Sequence, residues 1–167
     1  MMKQVKALFL DIDGVLNCDK TGYSPLGVRD IDGNKLLLLK RVIEATKAKI
    51  FLISSWKEGW FSSPKKKPMQ SATGDYLDHR FAEVGLKIYG KVPDVDFGGR
   101  GKSILEFQKR LSRKGYLLSP FAIVDDEAGD YAKMGLSDHW VKTSFLRGGL
   151  TKKAADKIID LLNEPKR

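Results

Sequence analysis

Cysteine and histidine are scarce in this chain. Its 167 residues include one cysteine, Cys18, and two histidines, His79 and His139. One cysteine cannot form an internal disulfide, and these three residues are too few for a typical four-ligand zinc site. The sequence therefore excludes both a disulfide-stabilised secreted scaffold and a structural zinc domain, and we expect a cytoplasmic protein.

Long apolar stretches are also missing. The longest runs contain only four or five residues, as at 36–39, whereas a membrane helix needs about 18 or more. The first run, 7–10, stops at Asp11 and is too short for the core of a signal peptide. We expect one globular domain spanning 1–167, with no attachment to a membrane.

Acidic residues are outnumbered by basic ones. The chain has 30 Lys and Arg against 21 Asp and Glu, which gives a net charge of +9. A basic surface attracts phosphate-rich partners such as nucleic acids. Composition alone does not separate this explanation from ordinary solubility.

The apolar pattern predicts strands that alternate with helices. We expect strands at 4–10, 49–53, 86–89, 121–124 and 140–141, and helices at 34–48, 75–84, 102–114 and after Thr151. This alternation is typical of an α/β fold, in which a central parallel sheet carries helices on both faces. The predicted fold is therefore a single three-layer, Rossmann-like domain.

Aspartates follow two of the predicted strands. Asp11 and Asp13 come directly after the first strand, and Asp125 and Asp126 follow strand 121–124. Parallel α/β sheets bind ligands at the carboxyl ends of their strands. Carboxylates that converge there repel one another unless a cation lies between them, and hard oxygen ligands favour Mg²⁺. The sequence therefore predicts a magnesium site at this edge.

Two further residues are suited to binding a phosphate. Ser54 ends the second strand, where a hydroxyl and backbone N–H groups can hold a phosphoryl oxygen. Lys102 opens a predicted helix, whose amino terminus favours an anion. Taken singly, each is more often an ordinary turn serine or surface lysine.

The arrangement of these residues resembles the haloacid dehalogenase (HAD) superfamily. Its four motifs occur in order as LFLDIDGVLN, FLIS, Lys102 and AIVDD, within a similarity that spans 5–162. The segments SSW, RGK and VKTSFLRGGLT resemble more specifically the HAD domain of Swiss Army Knife RNA-repair proteins.

The resemblance implies a phosphatase that forms an aspartyl-phosphate. Asp11 would be the nucleophile, and Asp13 the general acid for the leaving group and then the base for water. An Asp at the second position indicates phosphatase rather than dehalogenase chemistry. Ser54 and Lys102 would hold the phosphoryl oxygens.

The resemblance also implies the ligands of Mg²⁺. They would be the Asp11 carboxylate, the Asp13 backbone carbonyl and an acid of the Asp125/Asp126 pair. We favour Asp126 for direct contact and Asp125 for support. Asp130 would either orient metal-bound water or, more commonly for such an acid, lie solvated in the first turn of a helix.

Little room remains for a cap domain. Segment 18–33 is too short for one, and 56–100 allows only a small insert. An open site admits bulky or macromolecular substrates, whereas many small-molecule enzymes close a lid.

The distribution of charge favours a nucleic-acid end as the substrate. Removing the four site aspartates from the 21 acidic residues leaves 17 against 30 basic ones, a net +13. Trp56, Trp60 and Phe61 precede the lysine run 65–67, and aromatic side chains beside cations suit single-strand binding. Core packing of Trp56 is the competing interpretation.

Three alternatives remain. A mononucleotide or sugar phosphate would use the same fold and chemistry. A P-loop NTPase is suggested by GGRGKS, but Asp96 stands where that pattern needs glycine. A non-catalytic nucleic-acid-binding module would not need acids clustered near phosphate. In the repair interpretation, kinase or ligase activities would come from separate partner proteins.

Overall fold

Five parallel strands form the centre of the molecule. The structure, a computed structural model, describes residues 1–164; residues 165–167, the end of the predicted domain span, lie outside it. The strands are β1 (Lys3–Leu10), β2 (Lys49–Leu52), β3 (Ile88–Lys91), β4 (Tyr116–Asp125) and β5 (Trp140–Lys142). Their order is β3-β2-β1-β4-β5, which confirms the predicted α/β class.

In residues 1–164, four α-helices connect and cover these strands. They are α1 (Gly33–Thr46), α2 (Ala72–Glu83), α3 (Arg100–Arg113) and α4 (Lys152–Asn163). Three of them begin at a side chain that accepts a backbone N–H of the first turn, which satisfies an otherwise unpaired donor. These N-caps are Asp32, Ser71 and Thr151.

The alternation of side chains along β1 divides the core into two layers. Leu8 and Leu10 face the layer built with α1, α2 and α4, whereas Ala7 and Phe9 face the layer built with α3 and segment 126–139. Because both faces of a central parallel strand are covered, β1 reads as a continuous apolar run in its second half. The three-layer prediction is confirmed.

The strand predicted at 121–124 is much longer than expected. β4 begins at Tyr116, and its pairing with β1 shifts register between Val5 and Ala7. Pro120 lacks a backbone N–H and interrupts the apolar run, so the pattern concealed the first half of this strand. The sequence therefore underestimates how far β4 extends.

The segments where a cap domain would be inserted are short. Within residues 1–164, segments 11–32 and 53–71 form loops and short 3₁₀ turns, and α2 and β3 belong to the main body. No helix in the described part of the chain is long and apolar enough to span a membrane. The expectation of little or no cap is met in these residues.

The strand order reverses at β1. The chain runs from β1 through β2 to β3 on one side, then returns to place β4 and β5 on the other. Ligand sites of open α/β sheets lie at this reversal, outside the carboxyl ends of the strands. We therefore expect the ligand site at the residues that follow β1 and β4.

Candidate active site

The register between β1 and β4 brings three aspartates together. Leu10 is paired with Val124, and the backbone N–H of Asp11 donates to the Val124 carbonyl at 3.0 Å. Carboxylate oxygens of Asp11, Asp125 and Asp126 consequently lie within 4.8 Å of one another. Asp11 and Asp125 are buried, and Asp126 is half-buried. These are three of the four acids that the sequence predicted to converge, and the Asp13 carboxylate is not in the group.

One oxygen of Asp11 has no hydrogen-bond partner. Its Oδ1 is buried and unpaired, while its Oδ2 lies 3.0 Å from the guanidinium of Arg100. A buried unpaired carboxylate oxygen is costly, because burial removes its hydration without replacement. The cluster therefore has the donor set and the unsatisfied atom that a hard divalent cation would complete.

Arg100 is the cation that contacts these acids. Its Nη1 lies 2.7 Å from Oδ2 of Asp125 and also faces Asp11. The hydroxyl of Tyr131 donates to the same Asp125 oxygen at 2.6 Å. These contacts hold the Asp125 carboxylate in place, and the division of roles between Asp125 and Asp126 stays a prediction.

The sequence analysis missed Arg100, although a signal was present. The apolar face of α3 includes Ile104, Phe107 and Leu111, and Arg100 is one turn before Ile104 on that face. Lys102 is exposed instead, and its Nζ donates to the backbone carbonyl of Asp96 at 3.2 Å. Helical periodicity thus distinguishes the inward arginine from the outward lysine.

Burial and mutual repulsion dominate the electrostatics of the acids. Burial, together with the neighbouring Asp125 charge, raises the pKa of Asp11 to about 8, although Arg100 acts in the opposite direction. Burial also raises the pKa of Asp126. Although its own burial opposes the charged form, Arg100 has a raised pKa because Asp11 and Asp125 stabilise its charge.

Gly14 makes room for Asp126. Its φ of +78° lies in the left-handed region, and a Cβ there would lie 2.1 Å from Oδ2 of Asp126. Any other residue would clash with that carboxylate as well as strain the backbone. The glycine of the first motif therefore allows the loop after β1 to pass close to the loop after β4.

Asp13 is exposed and lies outside this acidic group. Its Oδ1 accepts a hydrogen bond from Nδ2 of Asn17 at 2.8 Å, and its Oδ2 accepts one from Nε1 of Trp56 at 3.0 Å. The two donors fix the carboxylate at the surface of the site. The carboxyl groups of Asp11 and Asp13 therefore have separate surroundings, and coordination by the Asp13 backbone carbonyl stays a prediction.

Ser54 is where the sequence places it, directly after β2. It is buried, and its Oγ accepts from the backbone N–H of Trp56 at 3.2 Å, which caps a short 3₁₀ turn. Its own hydroxyl proton can still be donated, since one lone pair serves the cap. The phosphate-binding roles of Ser54 and Lys102 stay predictions.

Asp130 has a different position from either one considered in the sequence analysis. Its carboxylate accepts backbone N–H groups of Gly99, Gly101 and Lys102 at 2.7–3.2 Å, which anchors the amino terminus of α3. These bonds lower the pKa of Asp130, although its partial burial opposes the shift. By anchoring this turn, Asp130 positions the backbone of Arg100.

The expected surface of aromatic residues is smaller than the sequence indicated. Trp60 is buried and donates to Asp78, and Lys67 pairs with the same carboxylate. Both residues are therefore committed within the fold. Trp56 is buried as well, which supports the competing interpretation that it packs in the core. Lys65 and Lys66 remain exposed.

Comparison with known proteins agrees with this geometry. The family model for the HAD domain in Swiss Army Knife RNA repair proteins matches residues 7–155. The chain belongs to this family. As a HAD domain of this kind, it is an enzyme of the hydrolase and phosphatase type. A search of curated proteins finds no match.

Solved structures show the same fold at low identity. A HAD superfamily (subfamily III A) hydrolase from Legionella pneumophila is 20% identical, with coverage of 95% of this chain and 84% of that one and a TM-score of 0.51. A protein described as a HAD-like phosphatase, from Mesorhizobium loti, is 17% identical, with coverage of 99% and 90% and a TM-score of 0.56. These similarities establish the architecture of the HAD domain.

The raised pKa of Asp11 predicts how the stability of the metal-free HAD domain depends on pH. The folded state holds the proton up to about pH 8, whereas the unfolded chain releases it near 3.8. The stability contributed by Asp11 is therefore full below about pH 4 and is lost as the pH rises through 8. We expect Asp11→Asn, which cannot ionise, to gain stability relative to the wild type as the pH rises.

Urea unfolding in EDTA at pH 5 and pH 8 measures this difference. The free energy of unfolding of Asp11→Asn, relative to that of the wild type, should be more favourable at pH 8 than at pH 5. Addition of Mg²⁺ at pH 8 should stabilise the wild type more than Asp11→Asn. If the difference in the free energy of unfolding is the same at both pH values, ionisation of Asp11 does not destabilise the folded state.

Proposed function

We propose that this enzyme removes phosphate from the ends of nucleic-acid strands, with Mg²⁺ and through an aspartyl-phosphate on Asp11. The observation that carries the proposal is the buried, unpaired Oδ1 of Asp11, within a group of three carboxylates and two residues before the exposed Asp13. The membership of the HAD family supports the same chemistry.

Asp11 is suited to be the nucleophile because its two oxygens differ. Arg100 holds Oδ2 at 3.0 Å, which fixes the carboxylate plane, and the other oxygen is left without a hydrogen bond. A carboxylate attacking phosphorus splits one difficult displacement into two easier ones. The carboxylates of Asp11 and Asp126 and the backbone carbonyl of Asp13 would hold Mg²⁺, with Asp125 in support, and the ion would offset the charge of the phosphoryl group.

Asp13 is suited to exchange a proton with the leaving group. Its carboxylate is exposed and held by N–H donors from Asn17 and Trp56, so it is ordered without being buried. In the first half of the reaction it would donate a proton to the departing oxygen, and in the second half it would accept one from water. The different surroundings of Asp11 and Asp13 suit these different roles.

Positive groups would stabilise the transferring phosphoryl oxygens. Arg100 lies against Asp11 and is therefore placed to share its charge with a phosphoryl group bound there. The hydroxyl of Ser54 is available from the adjacent strand end. Lys102 would have to leave its contact with the Asp96 carbonyl to contribute, and its exposed position allows this.

A group of lysines at the carboxyl edge of the sheet supports a nucleic-acid substrate. Lys66 and Lys91 lie 5.9 and 5.0 Å from the ring centroid of Phe61, and Nζ of Lys91 donates to the Lys57 carbonyl. Burial and the nearby Lys57 charge lower the pKa of Lys91. A strand phosphate would relieve this concentration of positive charge.

The proposal includes partner proteins. In a repair process, kinase or ligase activities would come from separate polypeptides.

The first test is the loss of turnover in Asp11→Asn. The substitution keeps the shape but removes the attacking charge and one carboxylate ligand, so we expect no measurable phosphate release from a phosphorylated oligonucleotide. EDTA should abolish wild-type activity, and Mg²⁺ should restore it. Phosphate release that survives either treatment would exclude the aspartyl-phosphate mechanism with Mg²⁺.

A second prediction separates Asp13 from structural residues. Asp13→Asn should slow hydrolysis of a nucleoside or alkyl phosphate by about 10²–10⁴-fold, because the departing alkoxide needs a proton. An aryl phosphate with a good leaving group should lose much less. Steady-state kcat on both substrates measures this, and Asp19→Asn, an exposed acid on the same loop, is the matched control. Equal losses on both substrates would assign Asp13 a purely structural role.

A third prediction concerns the substrate class. An oligonucleotide with a terminal phosphate should be a better substrate than a mononucleotide, with a steeper salt dependence of KM. Each strand phosphate neutralised contributes a slope of about −0.7 in log K against log salt, so Lys65→Ala with Lys66→Ala should reduce the slope by about 1.4.

The matched control for that pair replaces Lys109 and Lys114, which are exposed at the far end of α3. Salt titrations of KM for each double variant provide the comparison. Similar kcat/KM and similar slopes for oligonucleotide and mononucleotide would instead favour a small-molecule phosphatase.

A further inference from the structure

A cleft of about 530 Å³ opens directly beside Asp13. Three parts of the chain form its walls: residues 28–29 in the loop after β1, residues 55–56 after β2 together with Thr73 in the first turn of α2, and Phe145 after β5. We call it the Phe145 cleft. Its volume lies within the range of pockets that hold small ligands or parts of larger ones.

The position of the cleft relates it to the leaving group. In the proposed reaction, the oxygen that departs from phosphorus takes its proton from Asp13. Whatever is attached to that oxygen must lie next to Asp13, and Asp13 is one of the residues that line the Phe145 cleft. The cleft is therefore a space for the part of the substrate that is not the phosphate.

Arg29 lines the cleft but is held within its own loop. Its Nη1 lies 2.6–3.3 Å from the backbone carbonyls of Cys18, Asp19 and Thr21, and its Nη2 lies 3.3 Å from the Tyr23 hydroxyl. These contacts use donors that would otherwise bind a second phosphate. The guanidinium carbon also lies 4.9 Å from the centroid of the Tyr23 ring, so Arg29 contributes a fixed positive charge to the cleft.

That charge adjoins a second aromatic ring. The Arg29 guanidinium carbon lies 5.1 Å from the centroid of Phe145, which is half-buried. The backbone carbonyl of Phe145 accepts the N–H of Asp19 at 3.1 Å, so the ring-bearing turn is tied to the same loop. Fixed guanidinium and aromatic planes stack well on flat heteroaromatic groups.

Few polar side chains are available in the cleft for a sugar. Apart from Asp13 and the engaged Arg29, its polar lining groups are Ser55 and Thr73. A site for a sugar phosphate needs many hydroxyl partners, because each buried hydroxyl without a hydrogen bond is costly. A planar base needs a stacking surface and one or two polar groups that set its orientation.

We propose that the Phe145 cleft binds the base of the terminal nucleotide whose phosphate is removed. This inference rests on the proposed function, since it assigns the substrate side of the same site. It makes Phe145 a specificity-determining residue that contacts the base, with Arg29 holding the ring through the face that it covers. Recognition of the base by stacking tolerates different bases, so the cleft would select a nucleotide over other phosphate esters.

Two oligonucleotides that differ only at the terminal nucleotide test this proposal. Both carry the same terminal phosphate and backbone, but one has a base on the terminal sugar and the other has an abasic sugar. We expect wild-type kcat/KM to be roughly 5- to 100-fold higher with the base, which is the range for stacking one base on an aromatic side chain.

Variants at Phe145 should change this ratio selectively. Phe145→Leu should bring the ratio close to one while leaving kcat/KM for the abasic oligonucleotide nearly unchanged. Phe145→Trp, which keeps an aromatic plane, should retain the preference. Tyr116→Leu removes an exposed aromatic residue at the opposite end of the sheet and should leave the ratio as in the wild type.

Failure of this inference is distinguishable from failure of the proposed function. Equal wild-type activity on both oligonucleotides would overturn the base site while leaving the phosphatase intact. Binding of the same two oligonucleotides to Asp11→Asn makes the comparison without turnover. If neither is hydrolysed, equal dissociation constants overturn the inference, and a preference for the base that Phe145→Leu removes supports it.

Discussion

The repulsion among three carboxylates at the ends of β1 and β4 is the constraint on which this site depends. Parallel pairing of the two strands leaves Asp11 and Asp125 side by side, and both are buried. Such a group cannot be fully ionised without compensating positive charge. Arg100 supplies part of it, and the unpaired Oδ1 of Asp11 shows that the compensation is incomplete. The same deficit that destabilises the fold suits the site to bind a cation.

The surrounding structure maintains this arrangement. Asp130 anchors the start of α3, and α3 presents Arg100 to the acids. Gly14 gives Asp126 room to approach, and the hydroxyl of Thr143 donates to the Gly14 carbonyl at 2.6 Å. The segments that follow β1, β4 and β5 and the start of α3 are therefore joined at one edge of the sheet. Hydrogen bonds to backbone groups hold them together, and these bonds do not depend on the substrate.

Asp13 belongs to a second environment on the same loop. Since residues 11 and 13 lie two apart, the turn after β1 separates a buried carboxylate from an exposed one. The N–H of Trp56, a residue otherwise packed in the core, reaches Asp13 from the turn after β2. A core side chain thus orients a surface acid, and Trp56 is packed in the core rather than displayed at the surface.

The sequence by itself determined the α/β class and the edge of the sheet at which Asp11, Asp125 and Asp126 meet, because apolar runs and the residues that end them are local properties. Tertiary structure decided which cation reaches the acids. Arg100 and Lys102 are two residues apart, and helical periodicity places Arg100 on the apolar face of α3 and Lys102 off it. The packing of that face against the sheet then brings Arg100, and not Lys102, to the acids. It also paired Trp60 and Lys67 with Asp78, a partner eleven or more residues away. Contacts between distant segments depend on how helices pack on the sheet, which no local pattern specifies.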